Sequence, residues 1–134
     1  MIDLGAYLKD QIARPWVWGS MDCTTFPAGW VQICSGIDPM TKWRGYDSEV
    51  DAEMLIAQAG GLVALWDEGL AGIWPRHDAD PRVGDIGIIP VLDGAGEPIE
   101  IGAIFTGKRW AFRSPRGVGA ISIAYSDVVA TWGK

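Results

Sequence analysis

The sequence predicts an α+β domain in which N-terminal helices pack on a small C-terminal antiparallel β-sheet. Three observations carry this. Up to about residue 70, apolar residues recur every three or four positions, the period of helices with one buried face. From Asp85 onward, runs of β-branched and aromatic residues are separated by Gly-rich turns, the pattern of short strands. Helices first and strands second is the signature of the α+β class.

The first helix is expected over residues 2–13, with Leu4, Leu8 and Ile12 four apart and Pro15 just past its end. "WVWGS" then gives an extended segment and a turn. A second helix is expected from Asp22 to Ser35, stopped by Gly36. Along it Phe26, Trp30, Ile33, Cys34 and Ile37 form one stripe, and Cys23, three residues before Phe26, points to the same face. Pro27 has no N–H to offer the Cys23 carbonyl, so the first turn is expected to be irregular. After the loop "DPMTKWRGYD", Ser48 is suited to cap a third helix over residues 49–59, with Ala52, Leu55, Ile56 and Ala59 on one face. "GGLVALWDEGLAG" offers a further short helix, and "PRHDADPRVGD" reads as a polar linker. Strands are expected over 85–91, 98–106, 109–114 and 118–124, with "DGAGEP" and "TGK" as hairpin connections. Trp132 is expected to tuck back into the body.

The chain has 134 residues, 49% hydrophobic and 21% charged, which suits one domain, 1–134, around a single core. Its net charge of -6 disfavours a nucleic-acid surface, which needs clustered Lys and Arg. The densest basic group, Lys108, Arg109, Arg113 and Arg116, reads as a solvated sheet face. No window approaches the roughly 18 apolar residues that span a bilayer, so no membrane insertion is expected. The N-terminus reads as an amphipathic helix and not as a signal peptide, implying synthesis in a cytoplasm without export by its own signal. Cys23 and Cys34, if on one helix, are separated by about 16 Å of rise, beyond disulfide reach.

Two residues invite a chemical reading. Cys23, in "PWVWGSMDCTTF", stands at a helix start, where free N–H groups and the helix dipole favour a thiolate; a buried structural thiol is the alternative. His77 is the only histidine, and it could serve as base only if its loop folds over the start of the second helix; a solvated or capping role is the other reading. His77, Asp78, Asp80 and Asp85 lack the spacing of a calcium loop or a paired-His zinc site, so no metal is expected, and no cofactor motif is present.

Over nearly its whole length the chain resembles the NlpC-like cell-wall peptidases with a papain-like fold, in particular short relatives encoded by tailed phages and gene transfer agents. The resemblance rests on four ordered blocks: "PWVWGSMDCTTF", "WRGYDSEVDAEMLIAQAGGL", "RVGDIGII" and "EIGAIFTGKRWAFRSPRGVGAI". It implies that Cys23 holds the nucleophile position and that Gly84 and Asp85 open the first core strand. It also implies that the strand position of the catalytic histidine is held by Glu100. A carboxylate there repels a thiolate and is a poor proton donor at neutral pH. The third family position, which orients the imidazole, falls near "WAFRSPRG", where only Arg113 and Ser114 offer polar groups.

The resemblance therefore implies a domain whose Cys23 is the remnant of a nucleophile: a structural component of a phage-type tail, near the tip or hub, with other tail proteins as partners and the virion as its location. The alternative is an active cysteine peptidase or amidase cleaving peptidoglycan stems, with Cys23 as nucleophile and His77 as relocated base. A third reading, an adaptor, rests on Trp16, Trp18, Trp43 and Trp74 in expected loops, where Trp is unusual unless it packs against something.

Overall fold

The computed structural model describes residues 3–134. Asp3 accepts a hydrogen bond from the Ala6 N–H at 2.7 Å and so starts α1 (Leu4–Ile12) by satisfying a first-turn donor. The expected start at residue 2 lies outside the described residues. α2 (Thr25–Ser35) ends where Gly36 turns left-handed, at φ 78°, a conformation that favours glycine. α3 (Glu49–Ala59) has the expected bounds: Ser48 Oγ accepts from the Asp51 N–H at 3.1 Å, and Gly60 closes the other end. α4 (Leu62–Leu70) follows at once.

The strands are β1 (Arg76–His77), β2 (Ile86–Leu92), β3 (Pro98–Phe105), β4 (Trp110–Ser114), β5 (Gly117–Ile121) and β6 (Ala130–Trp132). They form one six-stranded antiparallel sheet in the order β1-β6-β2-β3-β4-β5. The described residues thus form an α+β domain of four α-helices and this sheet.

Strand alternation sorts the sheet residues onto two faces. Ile86, Ile88, Ile104, Ala111, Ala130 and Trp132 share one core with Leu4, Tyr7, Phe26, Trp30, Val31, Leu65 and Trp66, so the helices cover this face. Ile89, Ile101, Ala103, Phe105 and Trp110 form a second core on the opposite face, against which Ile123 and Val128 of the β5–β6 connection pack.

Several expectations are corrected. α2 begins at Thr25, three residues late, because Asp22 folds its side chain onto the first turn. Ile37 is 53% exposed, since Gly36 has already turned the chain away from the core stripe. The strand expected over 118–124 stops at Ile121, and the connection to β6 includes a 3-10 turn, Tyr125–Asp127. β1 lies inside the expected linker, and β6 was not foreseen; at two and three residues both are too short to show a period. Trp43, Trp74 and Trp132 are buried, whereas Trp16 and Trp18 are half-buried and pack edge-to-face, 5.0 Å between centroids. Among the described residues no helix is long and apolar enough to cross a membrane.

Candidate functional site

The site is built on the turn that enters α2. Val17 and Met21 exchange backbone hydrogen bonds of 2.9 and 2.7 Å, and Gly19, at φ 83°, closes the turn between them against the Tyr46 backbone. This aims Asp22 inward, where it is 1% exposed. Its carboxylate accepts from the N–H groups of Gly19, Thr24 and Thr25 at 2.8, 3.0 and 2.9 Å, and from the Tyr46 hydroxyl. In return Thr25 Oγ1 accepts from the Asp22 N–H at 2.8 Å. This reciprocal pair caps the helix as a capping box does. Pro27, as expected, leaves the Cys23 carbonyl without a helical donor.

Cys23 sits between that cap and the sheet. A Cβ placed on Gly102 of β3 would lie 3.0 Å from Pro27 Cγ and 3.6 Å from the Cys23 carbonyl oxygen, so only a residue without a side chain lets the start of α2 rest this closely on β3. The side chain is half-buried, and its one hydrogen-bonding neighbour among the described residues is Thr24 Oγ1, 4.0 Å from Sγ.

Two influences on this thiol oppose each other. The helix start and the Thr24 contact favour the thiolate. Burial, first, and then the carboxylate of Asp22, with a smaller effect from Glu49, favour the thiol, and they prevail: the Cys23 pKa is pushed up to about 11. At pH 7 only about one molecule in ten thousand then carries the thiolate, against a few per cent for an ordinary cysteine.

Glu100 lies on the same face of β3 as Gly102, two residues earlier, opposite Pro90 and exposed to solvent. The helix-covered face therefore presents a carboxylate on the strand that runs beneath the cysteine turn.

His77 is elsewhere. It lies on the edge strand β1, in a transverse row with Thr131, Gly87 and Ala103, and Ala103 belongs to the core behind the sheet. Three strand spacings of about 4.8 Å separate β1 from β3, so roughly 14 Å and the thickness of the sheet lie between His77 and the Cys23 turn. The structure does not bring these two residues together.

His77 has its own partner. Its Nε2 is 2.9 Å from Asp85 Oδ2, and Asp85 also accepts from the Arg82 N–H at 3.0 Å. His77 Nδ1 is buried with no partner among the described residues. The imidazole thus ties β1 to the start of β2, a local structural role. Gly84 and Asp85 immediately precede β2: the Trp30 indole donates to the Gly84 carbonyl at 3.0 Å, fixing α2 to the start of the strand.

Arg113, at the position where an imidazole-orienting group was sought, is 3% exposed on the helix-covered face. Its guanidinium donates to the carbonyls of Gln11 and Arg14 at 2.7 and 2.6 Å, at the C-terminal end of α1. It is occupied in holding that helix and orients nothing.

Sequence reasoning missed Tyr46 and Glu49 as neighbours of the cysteine turn. They are more than 20 residues downstream, and only the return of the loop before α3 brings them there. Burial and the Asp22 hydrogen bond push the Tyr46 hydroxyl well above its usual range, so it stays protonated and serves as a donor. Among the described residues no three His, Cys, Asp or Glu side chains gather as a metal site would require.

No curated protein and no solved structure matches the chain significantly. A family model, Domain of unknown function (DUF6950), matches residues 2–133. The chain belongs to the DUF6950 family.

Proposed function

We propose that this domain is a catalytically silent member of the NlpC-like, papain-like architecture and serves as a structural component of a phage-type tail, near its tip or hub. The observation that carries the silent part is the setting of Cys23. Burial, and after it the carboxylate charges of Asp22 and Glu49, hold its thiol protonated, and the only imidazole lies on the far face of the sheet.

The helix that starts two residues after the cysteine rests on a central strand of an antiparallel sheet, which is compatible with the papain-like architecture. On that strand Glu100, exposed to solvent, holds the position at which the resemblance expects the catalytic histidine. The four ordered sequence blocks support the tail assignment, with other tail proteins as partners. The alternative, a peptidase using Cys23 and His77, gains nothing from this geometry, because His77 is engaged with Asp85.

Two experiments address the two halves. Purified peptidoglycan incubated with the protein is expected to release no more soluble muropeptide than with the Cys23→Ala variant; release abolished by that substitution overturns the silent reading. Mass spectrometry of purified particles is expected to find the protein in stoichiometric amount with the tail, and its absence there overturns the structural assignment.

A further inference from the structure

α3 is apolar on two opposite sides. One stripe, Leu55, Ile56 and Ala59 with Ala52, is half-buried, and its larger members pack against the core. The other, Val50, Met54 and Ala57 at i, i+4 and i+7, faces solvent, with Val50 63% and Met54 53% exposed. At 100° per residue the two stripes are about half a turn apart. No residue of α3 is buried, although an apolar stripe on a helix ordinarily faces a core.

The charge around this helix is one-sided. Residues 45–75 contain Asp47, Glu49, Asp51, Glu53, Asp67 and Glu68 and no Lys or Arg, so this segment carries a charge equal to the net -6 of the whole chain. Asp67 and Glu68 on α4 pair with Arg76 and Lys42. The four carboxylates around α3 are exposed and enter no ion pair among the described residues. Placed on the helical wheel, Glu49 and Glu53 border the exposed stripe on one side and Asp51 borders it on the other. Glu49 and Asp51, and Asp47 just before the cap, also complement the helix dipole; Glu53, beyond the first turn, has no such role.

We propose that the outward face of α3 is a docking surface for a protein partner that presents a helix with an apolar stripe edged by Lys or Arg. Met54 gives the stripe an adaptable centre, and the bordering carboxylates set the polarity of the partner. A second copy of this chain would bring the same four carboxylates, and an anionic lipid surface would be repelled. The surface does not depend on whether Cys23 is silent.

The test uses the full chain and a labelled synthetic 14-residue helical peptide with Leu at i, i+4 and i+7 flanked by Lys. Two controls accompany it, one with Glu for Lys and one with the Lys peptide scrambled. By fluorescence anisotropy the Lys peptide is expected to bind at least about tenfold tighter than either control. The Val50→Ser/Met54→Ser double variant is expected to weaken it by about tenfold or more with an unchanged Tm. Glu53→Lys is expected to weaken binding severalfold and to flatten its salt dependence. Equal binding of ordered and scrambled peptides, full affinity in the double variant, or no binding at all overturns the proposal. So does a concentration-dependent dimer abolished by the double variant, which gives the face to a second copy instead.

Discussion

Asp22 controls the cysteine beside it in two ways that pull apart on mutation. Its carboxylate fastens the first turn of α2 through several hydrogen bonds, and its charge raises the Cys23 pKa. Asp22→Asn keeps the shape, removes the charge and loses acceptors. We expect the Cys23 titration to move downward in this variant, measured by peptide-resolved alkylation. We also expect a stability loss of about 1–3 kcal/mol in urea unfolding, the range for a buried donor left unpaired. An unmoved titration contradicts the electrostatic account. The neighbouring "DC" was legible as a helix-start thiol because dipole and capping rules apply to sequence directly. The sign of the net effect was not legible, because burial and the approach of Glu49 depend on how the chain returns.

Two glycines decide how closely elements approach. On β2, a Cβ at Gly87 would lie 2.5 Å from the ring of Trp110, which is fully buried and cannot retreat. On β3, a Cβ at Gly102 meets Pro27 Cγ at 3.0 Å, a gap that a small shift of α2 can open. Gly87→Ala is therefore expected to cost about 1–3 kcal/mol, and Gly102→Ala less, by chemical denaturation. The reverse order would contradict the packing of the rear core. α3 was readable to the residue because Ser48 and Gly60 mark both ends. The two-residue β1 was unreadable: "RH" has no period, and its place at the sheet edge is set by pairing with β6, 55 residues away.

Among the groups that burial holds protonated are Cys23, Tyr7 and Tyr46, whose pKa values are all raised. The unfolded chain releases these protons first, from about pH 8.5 for the thiol and about pH 10 for the phenols. Their stabilising contribution is therefore complete below that range and is lost as pH rises, for Cys23 through about 11. Tm is expected to fall between pH 9 and 11 more steeply in the wild type than in Cys23→Ala or Tyr46→Phe, and matching slopes would contradict this. The α+β class was legible in the sequence because periodicity reports burial within each element. The separation of His77 from Cys23 was not, since it depends on strand order and on which face of the sheet each residue meets.

The central claim, a nucleophile position held in its unreactive form, is tested most directly by the rate of Cys23 alkylation from pH 6 to 12, followed by peptide mass spectrometry so that Cys34 is read separately. The account predicts slow modification at neutral pH and an inflection near pH 11. An inflection below the ordinary thiol value of about 8.5 would contradict it and return Cys23 to the class of activated nucleophiles.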